Sequence, residues 1–182
     1  SLLSGGSIAN LTGIIAARDH KELKARDFER AVIYLTDETH HCVQKALRLA
    51  GMGESVIRYV PMDENFSMQP EALEAIIKED LLLGLIPFLL IGSAGTTNTG
   101  AIDPLDKLAD IASNHRIWFH VDAAYGGFFL LVEALRSKFK GIEKADSIVM
   151  DPHKSLFMPY GSGVILVRNA EHLFKSNYYT AA

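Results

Sequence analysis

The 182-residue chain is long enough for one α/β domain with a substantial core and short for two. Its 48% hydrophobic and 22% charged residues describe a folded chain, and a net charge of −4 leaves no electrostatic footprint for nucleic acid or an anionic membrane. A single cysteine, Cys42, excludes a disulfide framework and a thiolate metal cluster, and with no export signal in view it points to a cytoplasmic protein.

Apolar runs alternate with helix-period segments along the whole chain. Gly6 to Arg18 reads as a helix with Ile8, Leu11, Ile14 and Ile15 on one stripe. Ala31 to Thr36 is a β-branched and aromatic strand, and His41 to Ala50 a helix stopped by Gly51. Val56 to Val60 reads as a strand, and Pro70 to Glu79 as a helix with proline in its first turn. Pro87 to Ala94 is a buried strand, and Pro104 to Asn114 a helix with Asp103 as its N-cap. Ile117 to Asp122, Ser147 to Met150 and Gly163 to Val167 complete six strands. The longest apolar stretch, Leu81 to Ile91, is broken by Gly84 and Pro87 and is far short of a bilayer span, so no membrane partner is expected. The alternation implies a mainly parallel sheet of about six or seven strands with helices on both faces, forming one domain. Ligands in such folds gather at the carboxyl ends of strands. Because the chain opens at Ser1 without an initiator methionine, it is read as a fragment of a longer polypeptide.

Chemistry concentrates at those strand ends. Lys154 follows the strand SIVM within Asp-Pro-His-Lys, among Met150, Leu156, Phe157 and Met158. Burial there would depress its pKa and free its amine for imine formation, although a lysine reaching the surface from a loop is the plainer reading. Asp122 ends the strand IWFHVD, on one face with His120 and Ala124. A carboxylate in an apolar strand needs a cation, either Arg or Lys from elsewhere or a protonated pyridine nitrogen. Pyridoxal phosphate (PLP) enzymes combine a Schiff-base lysine with an acid at that nitrogen. Ser4-Gly5-Gly6-Ser7 opens the first helix and would offer amides, a hydroxyl and the positive helix end to a phosphate, as an ordinary N-cap also would. His40 and the turn Gly95 to Gly100, with Thr97, follow two further strands. The seven histidines show no HExxH-type spacing, so no metal centre is expected.

Together the segments SGGSIANLTGIIAAR (4–18), THHCVQKALRLAG (39–51), GTTNTGAIDPL (95–105), WFHVDAAYGG (118–127) and ADSIVMDPHKSLFMPYGSG (145–163) resemble the group II PLP-dependent amino-acid decarboxylases, in the family's order and over nearly the whole chain. The resemblance implies a fold-type-I PLP-dependent transferase-like large domain. On it, Lys154 would hold the cofactor and later take part in proton transfer, and Asp122 would pair with the pyridine nitrogen. His40 would stack on one ring face, with Val43 and Lys45-Ala46 fixing the register on His40 rather than His41, and Ala124 would pack on the other. Gly6 and Ser7 would bind phosphate, Thr97 would lie near the phenolic oxygen, and His153 would contact phosphate or the substrate carboxylate. Several family members carry Asn where this chain has Asp151, and a carboxylate beside a phosphate is repulsive, so Asp151 is left outside the binding set.

The family also implies a homodimer, with 159–163 nearest the subunit boundary, and an N-terminal segment and a C-terminal domain beyond residues 1–182. The loop bearing its catalytic tyrosine lies farther along, so Tyr178 and Tyr179 are not given that role. The expected reaction is α-decarboxylation of an L-amino acid to its amine and CO₂. Alternatives are a related PLP lyase, an aldehyde-forming oxidative decarboxylase, or, for the isolated fragment, a non-catalytic module.

Overall fold

The computed structural model describes residues 1–178. Its elements in chain order are β1 (Leu2–Leu3), α1 (Gly6–His20), β2 (Ala31–Leu35), α2 (Cys42–Leu49), β3 (Val56–Tyr59), α3 (Pro70–Leu82), β4 (Ile86–Ser93), α4 (Leu105–Asn114), β5 (Trp118–Asp122), β6 (Ser147–Met150), α5 (Pro152–Ser155), β7 (Gly163–Val167) and α6 (Ala170–Asn177). Seven strands form one sheet in the order β1-β7-β6-β5-β4-β2-β3. β3, β2, β4, β5 and β6 are parallel to their neighbours, whereas β7 runs antiparallel to β6 and β1 antiparallel to β7. The mainly parallel sheet expected from the alternation is present, and its seventh strand is the two-residue β1.

Parallel strands buried on both faces read as continuous apolar runs, and β2 (AVIYL) is buried at every position. One face of the sheet packs on Leu73 and Ile77 of α3 and Leu105 and Leu108 of α4. The other packs on Ile14, Ala16 and Ala17 of α1 and Val43, Ala46 and Leu47 of α2. The chain leaves β2 for β3 on one side and returns to β4 on the other, so the strand order reverses between β2 and β4. A crevice opens at the carboxyl ends at such a reversal. Ser93 of β4, Asp122 of β5 and Val149 of β6 are paired across the sheet there, which brings the three following loops together.

Two local expectations are corrected. Ile8 is 43% exposed and not on the buried stripe of α1; that helix instead buries Ala9, Asn10, Gly13, Ile14, Ala16 and Ala17, small residues that let it sit close to the sheet. Asp103 is not the cap of α4, whose N-cap is Pro104. Its buried carboxylate accepts from the amides of Met68 and Ser93, both at 2.7 Å, and ties the end of β4 to the start of α3. Burial, only partly offset by those two donors, pushes its pKa up to about 6.

Candidate active site at the strand carboxyl ends

A cavity of about 400 Å³ opens at the reversal point. It is lined by all eight residues singled out in the sequence, namely Gly6, Ser7, His40, Thr97, Asp122, Ala124, His153 and Lys154. They come from the start of α1, the loops after β2 and β4, the end of β5 with the loop that follows it, and α5. Asn10, Asp151, Glu38, Tyr125 and Tyr160 line it as well.

The half-buried carboxylate of Asp122 is held by neutral donors. Its Oδ2 accepts from Asn10 Nδ2 at 3.2 Å and its Oδ1 from the Ala124 amide at 3.1 Å. Among the described residues no Lys, Arg or His nitrogen lies within 4 Å of it, so the Arg or Lys partner weighed from sequence is not present.

Lys154 departs from its expected surroundings. Leu156, Phe157 and Met158 are 39, 94 and 52% exposed, so they turn to the surface instead of enclosing the amine. Lys154 Nζ lies 3.3 Å from Asp151 Oδ2, and Asp151 is the buried partner of that pair. The same Oδ2 accepts from the Gly6 amide at 3.0 Å, whereas Asp151 Oδ1 is buried with no partner. Gly5, at φ 137°, turns the chain into α1, and the following Ser7 and Ile8 amides have no protein acceptor among the described residues.

The histidines divide by position. His40 lines the cavity and His41 does not, although their rings lie 4.1 Å apart. Burial first, then the neighbouring His41, lowers the His40 pKa against the pull of Asp122. His153 Nδ1 donates to the Ser162 carbonyl at 2.5 Å, which turns Nε2 to within 3.8 Å of Asp151 Oδ2. Thr97 stands exposed on a turn whose Thr96 and Thr99 hydroxyls are 2.6 Å apart, and Asn98 reaches Glu38 across the mouth at 3.1 Å. Cys42 also lines the cavity, but burial and then the Asp122 charge push its thiol up to about 12, so it is an unreactive group at neutral pH. Tyr178 stacks on Phe174 at 4.6 Å; Tyr179 lies outside the described residues.

The conserved domain of pyridoxal-dependent decarboxylases matches residues 2–181. This chain belongs to that family. Among its curated relatives, the aromatic-L-amino-acid decarboxylase of Bacillus atrophaeus is 42% identical over 174 residues, covering 96% of this chain and 36% of the relative. Human cysteine sulfinic acid decarboxylase is 36% identical over 176 residues, covering 94% of this chain and 36% of the relative. The crystal structure of Catharanthus roseus tryptophan decarboxylase with L-tryptophan superposes with a TM-score of 0.92 at 32% identity, covering 98% of this chain and 39% of that one. The chain therefore spans a little over a third of the length of these pyridoxal-dependent relatives.

The cavity fits the family's cofactor. PLP presents a ring nitrogen that is cationic when protonated, an aldehyde and a phosphate dianion. Asp122 offers an acid with no cationic nitrogen within 4 Å among the described residues, Lys154 an amine, and the start of α1 amides and a hydroxyl. Glycine at position 6 is required by the packing, because a Cβ there would lie 2.8 Å from Asp151 Oδ2 and 3.2 Å from Ala124 Cβ. The one contrary feature is the Asp151 carboxylate, which occupies the Gly6 amide that a phosphate would otherwise use.

Proposed function

We propose that residues 1–182 are the cofactor-binding part of the large domain of a PLP-dependent amino-acid decarboxylase, a cytoplasmic homodimer that converts an L-amino acid to its amine and CO₂. The observation that carries this reading is the Asp122 carboxylate. Both its oxygens are fixed by neutral N–H donors, no cation faces it among the described residues, and it shares one cavity with the Lys154 amine. Family membership supports the reaction class. The exposed Phe157 just before 159–163 and the exposed Tyr160 within it support a subunit boundary there, and among the described residues no helix is long and apolar enough to cross a membrane.

When bound, PLP supplies a ring that accepts the electron pair released as a bond to the substrate's α-carbon breaks. Asp122 holds a proton on the ring nitrogen. Lys154 carries the cofactor through Nζ and later bears a proton at that atom. His40, kept neutral by burial, offers a flat imidazole to one ring face, and Ala124 bounds the other. Ser7 supplies its hydroxyl and, with Ile8, backbone amides to the phosphate, and Gly6 lets the backbone approach. His153 presents Nε2 to the phosphate or the substrate carboxylate, and Thr97 its hydroxyl to the phenolic oxygen.

The test is to load the complete polypeptide with PLP, supply a panel of L-amino acids and measure CO₂, amine and aldehyde. Amine and CO₂ in equal amounts are expected from at least one substrate. Aldehyde, CO₂ and ammonia formed with consumption of dissolved O₂ as the oxidant would establish the oxidative alternative, and no product from any substrate, despite a lysine-dependent PLP absorbance band, would establish the binding module.

A further inference from the structure

Beneath α1 lies a row of buried polar side chains to which the reaction above gives no task. Trp118 Nε1 donates to Ser147 Oγ at 2.8 Å, and Ser147 Oγ meets His120 Nδ1 at 2.7 Å. His120 Nε2 meets Asn10 Oδ1 at 2.8 Å, and Asn10 Nδ2 donates to Asp122 Oδ2 at 3.2 Å. His120 and Asn10 are fully buried, Ser147 is 1% exposed and Trp118 2%. Buried polar groups carry a desolvation cost that apolar side chains of similar size would avoid.

The direction of every bond in the row follows from chemistry. An indole N–H can only donate, and so can the amide nitrogen of Asn10. The opposite orientation of that amide would set its oxygen against the Asp122 carboxylate. Asn10 Oδ1 therefore accepts, His120 carries its proton on Nε2, and Nδ1 accepts from the Ser147 hydroxyl. Full burial keeps this ring neutral at pH 7 by lowering its pKa to about 4. Among the described residues the opposing pull comes from Asp122, at the far side of Asn10.

Packing holds the row in register. A Cβ on Gly13 would lie 2.8 Å from His120 Cε1 and 3.0 Å from Nδ1, so the ring packs directly against α1 at a position where a side chain would collide with it. The last bond of the row fixes one oxygen of Asp122, and the Ala124 amide fixes the other. Two neutral donors fix the direction of the carboxylate without supplying a competing cation.

We propose that Asn10, backed by His120 and Ser147, is a positioning residue that aims the Asp122 carboxylate at the ring nitrogen of PLP. This rests on the cavity being the PLP site. The test compares dissociation constants of the protein for PLP and for an analogue whose ring nitrogen is replaced by CH. The wild type should prefer PLP, and Asp122→Asn should lose that preference. Asn10→Ala should cut the ratio of the two constants roughly tenfold, the loss of one hydrogen bond to a charged group. His120→Leu should cut it roughly threefold to tenfold on the same basis, and His120→Gln, whose amide can still donate to Asn10 Oδ1, should keep most of it.

A merely structural role would weaken both ligands equally and leave the ratio unchanged. If the wild type does not distinguish the two ligands, the reading of the cavity fails. If the wild type does, while Asn10→Ala and His120→Leu retain the full ratio, the positioning role is overturned and the cavity reading stands. Should those two variants not fold, Ser147→Ala, which removes only a hydroxyl, carries the test: a reduced ratio supports the proposal and an unchanged one overturns it.

Discussion

His120 gives the sharpest prediction about stability. Free imidazole titrates near 6.5, and full burial lowers this ring to about 4. Below pH 6.5 the unfolded chain therefore takes up a proton that the folded chain refuses, and stability falls with pH until the folded ring titrates near 4. Carried across the window from 6.5 to about 4, this refusal of a proton is worth on the order of 3 kcal/mol, most of it between pH 6.5 and 4.5. Asp103 acts in the opposite sense. Its carboxyl is raised from 3.8 to about 6, so the folded chain holds a proton that the unfolded chain has lost, and stability falls as pH rises across nearly the same range. The two slopes offset each other in the wild type, and a single melting profile would hide both. Subtracting a His120→Gln profile removes the Asp103 contribution. Urea unfolding at pH 7.5 and 4.5 should show the wild type losing roughly 2 to 3 kcal/mol more than the variant on acidification. Parallel profiles would refute the assignment of a neutral, proton-refusing imidazole beneath α1.

Three other perturbations have definite signs. Asp151→Asn keeps an oxygen for the Gly6 amide and removes the charge that faces both Lys154 and the phosphate seat, so PLP titration should show binding tighter by roughly threefold to tenfold; weaker binding would contradict the reading of Asp151 as an opposing anion. Gly126→Ala puts a Cβ 2.2 Å from the Ala94 carbonyl oxygen and 3.0 Å from Gly95 Cα, both backbone, so the turns after β4 and β5 must part; a loss of about 3 kcal/mol in urea unfolding and weakened PLP binding are expected together. Arg58→Ala strips Asp80, 1% exposed, of an ion pair at 2.6 Å and leaves it the Tyr34 hydroxyl at 3.0 Å. Because Arg58 is itself 36% exposed, the cost should be about 2 kcal/mol, with no change in PLP affinity.

The sequence spoke most clearly where local and tertiary demands coincide. β6 and β7 stand where their β-branched and apolar runs put them, Ser147–Met150 and Gly163–Val167. The strand-end rule then led to one cavity, because the loops that follow parallel strands all leave from the same edge of the sheet. The end of α3 was hidden. Leu81 and Leu82 belong to its last turn, although they begin an apolar run that looks like the approach to a strand, and the break comes at Gly84 with φ 73°. Asp103 sits where a cap would sit, but its carboxylate turns inward to two amides distant in sequence. β1 is too short to carry any alternation and exists through its pairing with β7. Asn10, His120 and Ser147 are scattered over three elements with no motif spacing, and only the fold makes them neighbours. The exposure of Phe157 reversed the expected wrapping of Lys154, since an apolar residue near an amine in sequence does not fix which way its side chain turns.

The most direct trial of the account is to load the protein with PLP, reduce with borohydride, digest and map the modified peptide by mass. A single pyridoxyl adduct on Lys154 is expected, diminished by Asp122→Asn and abolished by Lys154→Ala. An adduct at another lysine, or one on Lys154 indifferent to the loss of the Asp122 charge, would contradict it.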